Sequence, residues 1–181
     1  MSFLKKEEHI FSIDNSITKE LCKDILEIFE KDIRDDVNVN NINENHVEIL
    51  LNENYGKIQK YLIRQLHENI ELYKRRFETI DYKLKIPQIS TRTPLIIKKQ
   101  KLTNNNVEIQ QKMKPNNIEI NKFLFLWFLN EYDGEILFWD TYKIKPKLGR
   151  FVLIPISWCF NYCENIKLFE TQCIIYGIIT V

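Results

Sequence analysis

An α+β fold, with helices early in the chain and a β-sandwich or barrel after them, is what the sequence predicts, from its two patterns and its length. Apolar residues recur at helical spacing in two stretches before residue 84, and from Lys85 the chain turns to short β-branched and aromatic runs divided by turn residues. A length of 181 residues suits one domain, read as a helical part over 1–84 and a β-barrel part over 85–181, with enough chain to bury a core without disulfides or metal.

The first element is a strand over Ile10–Ile13 (IFSI). Thr18 then offers an N-cap for a helix to Lys31, because Leu21, Cys22, Ile25, Leu26 and Phe29 share one stripe. Such a helix needs a sheet to lie on. DDVNVNNINEN, Asp35–Asn45, is polar and low in complexity, and reads as a solvated loop. A longer helix spans about Asn54 to Phe77, with Ile58, Leu62, Leu66, Ile70, Tyr73 and Phe77 at steps of four and three. His67 lies one position off that stripe. With His9 and His46 it completes the histidines, each read as a surface or boundary residue for want of a second histidine or carboxylate at ligand spacing. The strand runs are TPLIIKK, INKFLFLWFLN, EILFW, GRFVLIP, SWCFNY and QCIIYGIITV, with turn signals at Asn116-Asn117, Asp133-Gly134 and Lys147-Leu148-Gly149 and with Pro146 and Pro155 at edges.

Composition narrows the classes. The 26 basic and 25 acidic residues nearly cancel, so global charge gives no reason to expect nucleic acid or a membrane surface as partner. MSFLKKEEHIF carries no apolar run of signal-peptide length, and no segment approaches the roughly 18 to 20 apolar residues that span a bilayer. The expectation is a soluble protein of the cytoplasm or another reducing compartment, with no membrane partner. Cys22, Cys159, Cys163 and Cys173 form no CxxC pair and sit in apolar patterns, as buried thiols do. An excess of Ile, Asn and Lys over Ala and Gly points to an AT-rich source genome, such as some viruses carry. There is no His-Glu-x-x-His or Gly-x-Ser-x-Gly, and a chain with only four glycines has little with which to cradle phosphates.

The order of these segments resembles the prolyl 4-hydroxylase type of iron and 2-oxoglutarate dependent dioxygenase over nearly the whole chain. IFSIDNSITKELCKDILEIFE resembles that family's first strand, Asp-Asn, cap and Leu-Cys helix, and Tyr73 of the second helix also fits. FLNEYDGEILF matches its barrel hairpin through Leu129, Asn130, Gly134, Glu135 and Phe138, with Asp133 where a glycine would stand. IKPKLGRFVLIPISW matches the next strands through Pro146, Gly149, Arg150, Pro155 and Trp158. The resemblance implies a double-stranded β-helix, or jelly-roll, core with both helices packed on one sheet.

It also implies chemistry, and there the residues depart from it. The family binds Fe(II) through His-x-Asp and a later histidine, leaving positions open for the keto acid and oxygen. Here the first motif falls on Gln110-Gln111-Lys112 or Lys112-Met113-Lys114, and the third ligand falls on Tyr162. The Lys or Arg that holds the distal carboxylate of 2-oxoglutarate becomes Gln172, and the hairpin threonine becomes Ile136. Replacing a charge-assisted contact by a neutral amide costs about 1.5 to 3 kcal/mol. All three histidines precede Glu68, which assigns them to the helical part rather than the barrel. Cys159 and Cys163, with Tyr162 and Glu164, are no substitute, since four residues of strand hold the thiols about 13 Å apart. No cofactor is expected.

The pocket left by those changes is read as Gln110, Lys112, Tyr162 and Gln172, in which a lysine would repel Fe(II) and favour an anion, or would simply face solvent. Lys98, Lys99, Lys101, Lys112 and Lys114, with Arg92, form either a basic stripe or a set of edge-blocking residues. Trp127 reads as core, whereas Trp139 and Trp158 flank turns and serve either as rim packing or as ligand-stacking residues. The leading expectation is a catalytically inactive dioxygenase-like fold that binds or scaffolds a protein partner through the groove and the loops around 102–120. The alternatives are an RNA- or nucleotide-binding module using the lysines and tryptophans, and an oxygenase with substituted ligands.

Overall fold

Thr18 Oγ1 accepts a hydrogen bond from Leu21 N at 3.2 Å, and the chain enters its first helix where the capping residue predicts. The computed structural model describes residues 9–36, 39–43, 45–51, 55–77, 94–101, 122–139, 141–156, 162–166 and 170–180. In chain order these form β1 (Phe11–Ile13), α1 (Lys19–Arg34), β2 (Val39–Asn43), β3 (His46–Leu50), α2 (Gly56–Phe77) and β4 (Ile96–Lys101). Then come β5 (Lys122–Phe128), β6 (Gly134–Phe138), β7 (Tyr142–Ile144), β8 (Phe151–Ile156), β9 (Tyr162–Ile166) and β10 (Thr171–Thr180).

Two antiparallel sheets result. The larger has seven strands in the order β1-β8-β5-β10-β4-β3-β2, and the smaller has β7-β6-β9. Strand alternation gives the large sheet two apolar faces. On its outer face Phe125, Trp127, Phe151, Leu153 and Ile175 meet Cys22, Ile25 and Phe29 of α1 and Leu62, Leu66, Ile70 and Tyr73 of α2. On its inner face Leu124, Leu126, Phe128, Val152, Ile154 and Ile174 meet Ile136, Phe138 and Ile144 of the small sheet. This is the jelly-roll core with both helices on one sheet.

Three junctions lock the layers. Buried Ser16 Oγ accepts from Asn69 Nδ2 of α2 at 2.8 Å and from Trp127 Nε1 of β5 at 3.0 Å, tying the turn before α1 to both helix and sheet. Trp127 is therefore core, with its one polar atom satisfied. Gly149 has φ +74°, and a Cβ there would lie 2.2 Å from Ile17 O, so only glycine lets the two segments meet. Asn130 Nδ2 donates to Thr171 O at 2.6 Å while its Oδ1 accepts from Cys173 N at 2.8 Å, pinning the end of β5 to β10.

The structure corrects several expectations. Asp35–Asn45 is not simply a solvated loop, because Val39–Asn43 pairs with β3 as the edge of the large sheet. At an edge the main chain gains partners on one side, and Val39 packs against the outer core. The span 1–84 is thus not only helical, for it supplies β1, β2 and β3. β7 was not foreseen, its three residues being too few to show alternation. Of the SWCFNY run only Tyr162 belongs to a described strand, and residues 157–161 lie outside the described residues.

Candidate functional site

The inner face of the large sheet turns polar where β3, β4 and β10 lie side by side. Register sets His46 of β3 against Gln100 of β4, and Gln100 against Gln172 of β10. In the next row Glu48 stands against Lys98, and Lys98 against Ile174. A third row holds Leu50, Ile96 and Tyr176. Direct partners share a face, and Ile174 and Tyr176 pack in the inner core, so all three rows face the space between the sheets.

Burial and hydrogen bonding define this surface. Gln172 is fully buried and its Nε2 donates to Tyr132 Oη at 2.7 Å. Lys98 and Gln100 are only 6 % and 7 % exposed, although both are polar. Tyr176 Oη donates to Glu48 Oε1 at 3.0 Å, and His46 Nε2 lies 3.0 Å from the same oxygen. From the third row onward the face becomes apolar and open, with Leu50 49 % and Ile178 40 % exposed. Groups of this kind can recognise a polar ligand with an apolar arm. Among the described residues no group of three or more His, Cys, Asp or Glu is placed to hold a metal, and an ammonium on the same face disfavours a divalent cation.

The predicted site residues fare unequally. Gln172 sits in the polar floor. Tyr162 opens β9, its backbone paired with Phe138 of β6. Ile136 is buried in the inner core. Gln110, Lys112, Lys114, Arg92 and Trp158 lie outside the described residues, as do Met113 and Cys159. Trp139 is half-buried against the inner core and stacks at a tilt on Phe138.

The lysines of β4 require correction. β4 lies between β3 and β10, so it is an interior strand and its lysines block no edge. Nor do Lys98, Lys99 and Lys101 make one stripe. Alternation turns Lys98 inward, whereas Lys99 Nζ reaches Glu30 Oε1 of α1 at 2.5 Å on the other face and Lys101 is exposed at the strand end. All three histidines lie at the surface or boundary, as read, but His46 needs correcting in two respects. His46 belongs to a strand of the large sheet, and Glu48 stands at His-x-Glu spacing on its inner face, so it does have a carboxylate partner. The alternation of His-Val-Glu was the available signal, hidden by reading the preceding segment as loop.

No family model and no curated protein matches this sequence. Solved structures do. The collagen prolyl hydroxylase of Paramecium bursaria Chlorella virus-1, in its 2OG complex, superposes with a TM-score of 0.60 at 13% identity, covering 96% of this chain and 96% of that chain. The fold is that of the prolyl 4-hydroxylases. A Pseudomonas putida prolyl-4-hydroxylase matches with a TM-score of 0.65 at 6% identity, over 95% of this chain and 92% of its own. A Trichoplax adhaerens prolyl hydroxylase, in complex with a hypoxia inducible factor oxygen degradation domain peptide, matches with a TM-score of 0.63 at 12% identity, over 96% and 84%. The prolyl 4-hydroxylase fold thus extends over nearly the whole chain, while the identities carry the architecture alone.

Proposed function

We propose that this chain is a non-catalytic member of the prolyl 4-hydroxylase fold that binds a protein segment in the groove on the inner face of its large sheet. The observation that carries the reading is the character of that face. Leu50 and Ile178, both exposed, flank Ile96 and Tyr176 beside a floor of buried Lys98, Gln100 and Gln172 and part-buried Glu48. An exposed apolar patch beside oriented polar groups is what a polypeptide partner uses. The chemistry of the fold has a poor substitute here. Gln172 is neutral and engaged with Tyr132, Lys98 is a buried cation, and the aligned metal positions carry Gln, Lys and Tyr. These groups do not suit Fe(II), so no oxidative step is assigned.

The RNA reading has less support, because the described lysines of β4 divide between two faces. The test is a pull-down from source extract with the wild type and a Leu50→Asp, Ile178→Asp double variant, read by mass spectrometry and by RNA sequencing. Protein partners held by the wild type and lost by the variant are the expected result. An unchanged protein set, or RNA as the bound species, overturns the groove assignment.

A further inference from the structure

Gln100 gives the polar floor a buried acceptor that its own surroundings leave unbonded. Gln100 is 7 % exposed, and its Oε1 has no hydrogen-bond partner among the described residues. A buried acceptor without a donor is disfavoured, so a bound donor is its natural complement. The neighbours set the charge of that donor. Glu48 and Lys98 face each other in the adjoining row, and His46 and Gln172 flank Gln100 on either side. The carboxylate and the ammonium offset one another. An added anion would meet Glu48 and an added cation would meet Lys98, whereas an uncharged group enters with neither cost.

Among uncharged groups a carboxamide matches best. Its N–H donates to one amide oxygen while its C=O accepts from the other amide, so two carboxamides form a reciprocal pair, whichever way the Gln100 amide is turned. We propose that Gln100 anchors a carboxamide-binding site, and that its ligand is an Asn or Gln side chain of the polypeptide seated in the groove. The inference rests on the groove reading above. Leu50, Ile96 and Ile178 then receive an aliphatic neighbour of that side chain.

The experiment selects a phage-displayed library of random peptides of about twelve residues on the full chain, then measures the enriched peptides with variants. Enriched sequences are expected to carry Asn or Gln beside an aliphatic residue. Gln100→Leu should weaken them about tenfold, the upper end for one net hydrogen bond, and changing the peptide Asn to Asp should do the same. The melting temperature of Gln100→Leu should hold or rise, because an unpaired acceptor has been removed. Peptides that bind Gln100→Leu as tightly as wild type overturn the proposal, as does a variant that melts several degrees lower, since the acceptor would then be held inside the protein. If Leu50→Asp and Ile178→Asp abolish binding and Gln100→Leu does not, the groove stands and the carboxamide site falls. If no peptide is enriched, or none of the three changes matters, both fall.

Discussion

Asp14 shows how one residue reads differently alone and in place. Arg150 Nε at 2.5 Å and Lys147 Nζ at 2.9 Å, both hydrogen-bonded to its carboxylate, hold its pKa down to about 2. The folded value lies below the unfolded value of about 3.9. Its contribution to stability is therefore complete above that unfolded value and is lost as pH falls through about 2. Because the side chain is 45% exposed the effect is small and salt-sensitive. The melting temperatures of wild type and Asp14→Asn should differ most near neutral pH and converge toward about pH 2. A constant difference would show that the ion pairs carry nothing. At Ser16 the expectation is larger. Ser16→Ala leaves the Trp127 and Asn69 donors buried without their acceptor, and should cost about 1 to 3 kcal/mol in denaturant unfolding.

At the scale of elements the helices were the most legible part. The stripe on α2 names Leu62, Leu66, Ile70 and Tyr73, and each is buried against the outer face of the large sheet. Leu66→Ala should lower stability by about 2 to 5 kcal/mol, measured as a shift of the urea midpoint at constant slope. The thiols on α1 and β10 belong to the same layer. Burial pushes Cys22 and Cys173 up to about 11, so near neutral pH both are protonated and shielded. Iodoacetamide should label both sites only in denaturant, as peptide mapping by mass spectrometry will show. The β2–β3 hairpin was not read, because the polar run before it hid the short alternation that sends Val47 and Ile49 to the outer core.

For the whole molecule the two-layer core leads to the expectation that stability needs no metal. The outer and inner clusters together pack both helices and both sheets by apolar contact. EDTA should leave the melting temperature unchanged, and isothermal titration with Mn(II) and 2-oxoglutarate should show no saturable site tighter than about 10 μM. A 1:1 site in that range would overturn the non-catalytic reading while leaving the fold untouched.

The sequence by itself determined the fold class, the helix stripes and most of the strands, because hydrophobic periodicity and caps act over a few residues and are written locally. Aligned spacing led further to the expectation that Gln172 takes the place of the family's cosubstrate-holding cation. Only the tertiary structure decided what surrounds it. The floor of the groove is assembled from β3, β4 and β10, strands distant in the chain, and no local pattern records that His46, Gln100 and Gln172 share a row or that Lys98 faces Glu48. Even the meaning of a lysine turned on topology. On an edge it blocks pairing, but in the interior strand β4 alternation sends Lys98 inward and Lys99 out to Glu30, because neighbouring strands leave each side chain only the two faces of the sheet.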